Sequence, residues 1–391
     1  MKAVTWHGVG DIRFDEVSDP KIEEPTDAIV RITTSAICGT DLHFVRGTMP
    51  GLRPGVVLGH EAVGEVVEVG PGVRNFSPGD RVVVPSTIAC GYCSYCRAGY
   101  FAQCDNANPG GKRAGTAFFG GPEDAGGFNG LQAQYARVPY ANVGLVALPA
   151  DVTDEQAITL SDIWPTAWFG GRLAEIGPGD TVAVFGCGPV GQFAVLSAYL
   201  QGAGRVIAVD GLDDRLAMAR AQHAEVIDFN ADDPVQAILD LTGGVGVDRV
   251  IDAVGVDAEA PSGDRSDDFQ QEVEQVAPET DPAWAPGDAP TQAARWAVEA
   301  VAKAGTIGVV GVYPPTVTSY PFGAAMMKNL TIKAGNCHHR KYIPELLRLV
   351  VSGTVDPAQL LTRQEPMTDV LAAYRQFQDR EPGWLKVALD V

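Results

Sequence analysis

The chain reads as an α/β protein: a β-rich lobe first, then a doubly wound parallel sheet. Two patterns predict this. Over residues 1–150, short branched runs such as "DAIVRI", "GEVVEVG" and "DRVVV" alternate with Gly/Pro turns at close spacing, as paired short strands do. Further on, "DTVAVFGCGPVGQFAVLSAYLQGAGRVIAVDG" gives strand, glycine turn, helix and strand, and "EVIDFN", "VDRVIDAVG" and "GTIGVVGVY" continue the series. Strands alternating with helices imply a parallel sheet with crossover helices. The length of 391 residues fits two domains, because a single hydrophobic core rarely grows that large.

The elements follow in order. "CGYCSYCRAGYFAQC" places Cys90, Cys93, Cys96 and Cys104 in one tight stretch, and the glycine-heavy run 105–130 reads as loop. "TDEQAITLSDIWPTAWFGGRLAEIG" reads as helix, with Thr153 or Asp154 as its cap. Between Gly255 and Gln292 the strand–helix rhythm breaks. This segment carries ten acidic residues and one arginine, Arg265, so 256–291 is expected to be a solvated, partly disordered insertion. A loop that folds over a ligand or partner is the alternative. Beyond Thr316 a mixed α/β texture returns, and no internal repeat is present.

Composition bounds the function. The charge of -20, from 29 basic and 49 acidic residues, argues against nucleic acid and anionic membranes as partners. No apolar run reaches the ~20 residues of a membrane span. The opening "MKAVTWHGVGDIRF" has no apolar signal core, so a cytoplasmic protein is expected.

In that reducing setting, closely spaced cysteines are metal ligands more often than disulfides. Four thiolates at C-x2-C-x2-C-x7-C suit tetrahedral zinc, and four protein ligands leave no open position for substrate. An iron–sulfur site is the rival, but its usual run closes with a shorter gap and a proline, whereas Asp105 follows Cys104 here. A redox relay is the third reading. If the site is structural zinc, the chemistry lies elsewhere.

"VAVFGCGPVGQFAVL" places Gly186, Gly188 and Gly191 in a G-x-G-x-x-G pattern between a strand and a helix, with Pro189 opening the helix. The first glycine permits the turn and the second admits a pyrophosphate. The third lets helix pack on strand, and the helix N-terminus faces the anion. "RVIAVD" ends in Asp210, whose carboxylate can accept from ribose hydroxyls and repel a 2′-phosphate. That predicts NAD. Arg215 is placed over the adenosine end, and a plain helix cap is the alternative for Asp210.

Two further stretches hold ligand-type side chains: "AICGTDLHFVRG" with Cys38, Thr40, Asp41 and His43, and "GVVLGHEAVGEVVEVG" with His60 and Glu61. Together with the cysteine stretch and the glycine fingerprint, these resemble the medium-chain, zinc-dependent alcohol dehydrogenase superfamily over nearly the whole chain. The resemblance implies a GroES-like catalytic domain (1–162 and 337–391, with the structural-zinc lobe 90–104) and a Rossmann domain (163–336) inserted between. It implies two zinc ions per chain, the catalytic one held by Cys38 and His60.

Where classical members have a second cysteine ligand, this chain has Asp162, in "LSDIWPTAWFGG". That pattern is similar to the glutathione-independent formaldehyde dehydrogenase subgroup. Asp and thiolate carry the same charge, so the exchange keeps the site balanced, with a helix cap as the alternative for Asp162. The resemblance further implies hydride transfer between a small alcohol or aldehyde and NAD. It implies a proton path from Thr40 through the cofactor ribose to His43, with Asp41 orienting His60 and Glu61 approaching the metal. Thr166, Val190 and Val312 match positions lining the nicotinamide, and Lys386 matches a pyrophosphate contact. Trp164, Phe118 and Phe119 are candidates for the substrate pocket, and a homotetramer or dimer is expected. "CHHRKY" (337–342) departs from the subgroup, which leaves polyol, secondary-alcohol and amino-alcohol oxidation open. A zinc-free reductase or structural protein on the same scaffold would lack the ligand set, and a metal-binding or redox-sensing module would lack the cofactor residues.

Overall fold

The computed structural model describes residues 1–261, 267–279 and 281–391; residues 262–266 and 280, part of the acidic insertion, lie outside them. The chain forms two compact units. One comprises Met1–Val45, Met49–Pro165 and Asn336–Val391, the other Arg46–Thr48 and Thr166–Gly335.

The first unit begins with β1 (Lys2–Gly8), β2 (Asp11–Glu16), β3 (Ala28–Ile37), β4 (Val56–Val57), β5 (Ala62–Val69), β6 (Arg81–Val84), β7 (Tyr135–Val138) and β8 (Val146–Ala147). The second unit supplies β9 (Thr181–Phe185), β10 (Arg205–Asp210), β11 (Glu225–Asp228), β12 (Val247–Asp252), β13 (Val301–Val309) and β14 (Thr331–Ala334). The chain then returns to the first unit for β15 (Arg363–Pro366) and β16 (Val387–Asp390).

In the first unit, β2-β1-β4 form a small antiparallel sheet, and a larger, mixed sheet runs β15-β16-β3-β5-β6-β8, with β15 parallel to β16 and β7 also on β3. β3 is the keystone, because it pairs antiparallel with β5, β7 and β16. Val30, Ile32, Val66, Val82, Val84 and Leu131 fill the core on this sheet. The helix Asp154–Ser161 begins at Thr153 with a reciprocal capping box to Gln156, which satisfies two otherwise unpaired backbone donors.

The second unit holds one parallel sheet in the order β11-β10-β9-β12-β13-β14. The cores of β9 and β10 are apolar: Val182–Phe185 and Val206–Val209 are all at most 1 % exposed, as expected for strands covered on both faces. The order reverses between β9 and β12, and ligands of such sheets bind at that switch point.

The acidic insertion differs from expectation in its described part. It carries a helix, Asp267–Val276, and buries Phe269, Val276, Ala277 and Trp284. Glu272 accepts from Thr291 Oγ1 at 2.7 Å and from Arg295 Nη2 at 2.6 Å, and the Arg295 guanidinium lies over the Phe269 ring. Those apolar anchors are too few and too spread to give a recognisable period in an acidic segment. Among the described residues no helix is long and apolar enough to cross a membrane.

Candidate active site and metal centres

Four ligand-type side chains of the first unit converge: Cys38, His60, Glu61 and Asp162 each place one donor atom within 4.8 Å of the others, and all four are buried. Their positions come from different elements. Cys38 follows β3 and opens the helix Gly39–Arg46, His60 and Glu61 precede β5, and Asp162 breaks the chain between the helices Asp154–Ser161 and Ile163–Leu173. Gly59 lets His60 enter, at φ +87, where any Cβ would lie 2.4 Å from Gln132 Cγ.

Asp162 Oδ2 stands 3.6 Å from Cys38 Sγ and 3.3 Å from His60 Nε2. Tetrahedral ligands about 2.0–2.3 Å from an ion lie ~3.3–3.8 Å apart, so these separations fit one small cation.

The electrostatics point the same way. Cys38, Asp41, Glu61 and Asp162 gather four acidic groups in a buried space where Lys386 is the fixed counter-charge, and excess buried negative charge is tolerated when it coordinates a metal. Burial pushes the Cys38 thiol up, with the His60 ring opposing it. Burial also opposes the Asp162 charge, yet hydrogen bonds from His339 and His60 hold its carboxyl well below the usual range. His60 is drawn well above its ordinary value by Asp41 and Cys38, against burial. Such anionic surroundings attract a dication as readily as a proton.

An outer ring supports these donors. Asp41 Oδ2 accepts from the Cys38 amide at 2.9 Å and from Gln132 Nε2 at 3.3 Å. Tyr374 donates to Gln132 Oε1 at 2.8 Å. Asp41 Oδ1 lies 3.3 Å from His60 Nδ1, close enough to orient the ring but short of hydrogen-bond geometry.

Two residues of this ring stand apart from the sequence reading. His339 Nε2 lies 2.7 Å from Asp162 Oδ1, a contact that sequence spacing could not show; the unexplained "CHHRKY" stretch was its only signal. Lys386, expected at a cofactor pyrophosphate, is instead fully buried, with Nζ 2.5 Å from Glu61 Oε1 and 3.0 Å from the Ile37 carbonyl. The physical reason is register. β16 pairs Val387 with Ile37, which turns the preceding side chain inward beneath the ligand cage. Burial pushes Glu61 up to about 7 despite the neighbouring ammonium. Burial works against the Lys386 charge too, but Glu61 raises its pKa.

Thr40 and His43 lie three residues apart on the helix Gly39–Arg46, a spacing that shares one face. Thr40 is half-buried and His43 is 3 % exposed. Of the pocket candidates, Phe119 is part of the core of the first unit rather than a free pocket wall. Phe118 stacks on Phe44, beside His43 in sequence, and Trp164 is fully enclosed.

Cys90, Cys93, Cys96 and Cys104 form the second cluster. Cys90 and Cys96 sulfurs are 4.0 Å apart, as are those of Cys93 and Cys104, close to the ~3.8 Å edge of a tetrahedral four-sulfur site. All seven cysteines of the chain are unpaired as disulfides. Amides of Cys90 and Asn106 donate to Cys104 Sγ at 3.2 and 3.4 Å, and Cys93 N–H donates to Cys90 Sγ at 3.4 Å. Burial opposes ionisation of Cys93, but the amides of Cys96 and Asp105 bring it down to about 7.

In the second unit the glycine turn follows β9. Gly186 has φ +86, and a Cβ on Gly191 would lie 1.8 Å from the Gly186 carbonyl oxygen, so helix and strand meet here without a side chain between them. Gly188 caps the helix Pro189–Leu200, with Pro189 in its first turn and Val190 half-buried after it. Asp210, 7 % exposed, accepts from the Cys187 amide at 2.7 Å and from the Gly211 and Leu212 amides at 2.8 and 3.0 Å. It therefore ties the glycine turn to the next loop. Arg215 Nη1 lies 3.8 Å from where a Cβ on Gly188 would stand, which puts its guanidinium beside the glycine turn. Val312 accepts from the Val256 amide at 2.9 Å at the ends of β12 and β13, and Thr166 is half-buried on the helix Ile163–Leu173.

Comparison with known proteins agrees with this geometry. The family model of the alcohol dehydrogenase GroES-like domain matches residues 24–150, and that of the zinc-binding dehydrogenases matches 189–263. An uncharacterised zinc-type alcohol dehydrogenase-like protein of Bacillus subtilis is 37 % identical over 100 % of both chains. The glutathione-independent formaldehyde dehydrogenase of Pseudomonas aeruginosa is 41 % identical, over 66 % of each chain. The solved alcohol dehydrogenase TADH of a Thermus species superposes over 100 % of both chains, with a TM-score of 0.81 and 33 % identity. With both domains, the cage and the glycine turn in place, the chain belongs to the medium-chain zinc-dependent alcohol dehydrogenase superfamily, oxidoreductases that use zinc and a nicotinamide cofactor on small alcohols or aldehydes.

Proposed function

We propose that this enzyme transfers hydride between NAD and a small alcohol or aldehyde in the manner of a formaldehyde dehydrogenase. The observation that carries the reading is the buried Cys38–His60–Asp162 cage, with donor atoms at tetrahedral spacing. Zinc, when bound there, supplies a Lewis acid that polarises the substrate oxygen.

The chain's own residues do the rest. Cys38, His60 and Asp162 would hold the ion, and three protein ligands would leave a position for substrate. Asp41 orients His60. The Thr40 hydroxyl takes the substrate proton towards His43, whose residue type titrates near neutral pH. Glu61, anchored by Lys386 through one oxygen, would offer its other oxygen to an ion held there. The glycine turn at Gly186, Gly188 and Gly191 receives the pyrophosphate, with Arg215 beside it. Asp210 accepts the ribose hydroxyls and disfavours a 2′-phosphate, which supports NAD over NADP. Thr166, Val190 and Val312 line the nicotinamide.

The cysteine lobe takes a second, structural zinc, so the chain carries two. Seven cysteines, none of them in a disulfide, support a reducing, cytoplasmic setting. Self-association into a tetramer or dimer belongs to the same reading. Phe322, Met326 and Met327, 73 %, 78 % and 85 % exposed on one short helix, support it.

The test is metal analysis with a cofactor-linked screen over formaldehyde, short alcohols, polyols, amino alcohols and 3-hydroxy acids. Two zinc ions per chain and NAD-dependent turnover of formaldehyde or short primary alcohols are expected. One zinc or none removes the mechanism. Preferential turnover of a polyol or amino alcohol moves the enzyme to that substrate class on the same scaffold.

A further inference from the structure

Asp162 divides its two oxygens between two directions. Oδ2 faces the cage, at 3.3 Å from His60 Nε2 and 3.6 Å from Cys38 Sγ. Oδ1 faces away, 2.7 Å from His339 Nε2. His339 is 3 % exposed and opens the helix His339–Val351, which packs against the helix Asp154–Ser161 that ends at Asp162. Its other ring nitrogen, Nδ1, lies 3.1 Å from Thr87 Oγ1. That hydroxyl has a second neighbour, the Cys337 carbonyl, but at 3.5 Å. The Asp162 carboxylate can only accept, so Nε2 carries the proton aimed at it. In that tautomer Nδ1 accepts, and the Thr87 hydroxyl is the donor within reach.

A carboxylate ligand can grip a cation through one oxygen or two. With both, it fills the position that a catalytic zinc needs for substrate. Outer partners of metal ligands commonly settle such choices.

We propose that His339, held in its Nε2–H tautomer by Thr87, is a positioning residue that keeps Asp162 a one-oxygen ligand and so preserves the open coordination position. It acts through Asp162 and touches no reacting atom. Nothing in the residue types around Asp162 forces this arrangement; it follows from the helix His339–Val351 presenting its first residue to the break after Ser161. The inference rests on the zinc-site reading above, and its test is built to fail separately.

The test uses the full-length holoenzyme. The variants are His339→Leu, which keeps bulk but removes the donor, His339→Gln, which restores an N–H at similar reach, and Thr87→Val, which frees the ring tautomer. Two readouts do not depend on turnover. One is the rate at which a chelator strips the catalytic metal. The other is the d–d absorption of the enzyme with cobalt(II) in the cage, which weakens when a fifth ligand atom joins a tetrahedral ion. His339→Leu is expected to lose its catalytic metal ~10–100-fold faster or to weaken the cobalt band, with kcat falling more than KM rises. Thr87→Val shifts the same readouts less, and His339→Gln returns them most of the way. Wild-type protein with metal in the cysteine lobe alone overturns the functional reading and the positioning role with it. Wild type with both metals, and His339→Leu and Thr87→Val indistinguishable from it in both readouts, overturns the positioning role alone. Thr87→Val leaves His339 in place, so the proposal stays open to refutation even if His339→Leu misfolds.

Discussion

The two candidate metal centres are built by opposite strategies. The cysteine lobe draws all four donors from residues 90–104, and its neighbouring amides point at the sulfurs. Its donors are local in sequence, and four of them would leave no open position on an ion. The cage draws Cys38, His60 and Asp162 from separate elements and leans on Lys386 and His339 from the far end of the chain. It is assembled only by tertiary structure. A closed local site can lock a loop in place; an assembled site can keep a position open and tune the groups around it.

The largest expected break in this contrast comes from Asp162→Ala. It removes a cage donor, so turnover should vanish and affinity for the catalytic metal should fall by more than the ~10–100-fold typical of outer-partner losses. The lobe should keep its ion, which metal counting after dialysis reads directly. Cys104→Ser is the mirror image. It should empty the lobe and lower the melting temperature, while the surviving folded protein keeps the cage metal and its kcat. Loss of both metals in either variant would show that the two sites are one cooperative unit.

The next largest effect concerns the buried pair beneath the cage. Lys386→Met leaves Glu61 without its ammonium and should cost about 3–5 kcal/mol in urea unfolding, because a buried charge loses its partner. Adding Glu61→Gln should recover most of that. A single variant no less stable than the wild type would mean that the pair carries no weight.

The smallest effect reports on the lobe side. His338 accepts from the Ala102 amide at 3.2 Å and packs edge-on against Tyr100. Burial, aided by Lys341, lowers its pKa from 6.5 to about 4. A lowered histidine pKa means that the unfolded chain binds the proton more readily. Its stabilising share is therefore complete above pH 6.5 and is lost as pH falls towards 4. His338→Asn puts an amide oxygen near the Nδ1 position but does not titrate. Its urea midpoint should therefore fall less steeply than that of the wild type between those limits. Parallel acid profiles would remove His338 from the account.

The same contrast separates what was legible in the sequence from what was not. The cysteine lobe could be read directly because its chemistry is contained in its spacing. The parallel sheet was equally plain, since β9 and β10 carry the apolar runs Val182–Phe185 and Val206–Val209 on either side of the glycine turn and its helix. Cys38, His60 and Asp162 could be assembled only through a family pattern, because nothing in their separation says that they meet. Lys386 was misplaced because its direction depends on the pairing of β16 with β3, a register that no local signal encodes. His339 was left unexplained because its partner lies 177 residues away. The packed part of the insertion gives no clear sequence signal, because Phe269 and Trp284 sit among acidic residues that dominate the composition.

The discontinuity of the first unit has a consequence for the order of synthesis. When residue 335 leaves the ribosome, every candidate metal donor has been made and the cysteine lobe holds all four of its thiols, lacking only the His338 contacts with Ala102 and Tyr100. The cage lacks more: β3 is still without β16, Glu61 faces no ammonium, and Asp162 has no imidazole behind it. Residues 336–391 must arrive before the acidic groups around Cys38 are balanced. The nascent chain can therefore gather its cysteine lobe early, while the candidate catalytic cage closes only once β16 has paired with β3.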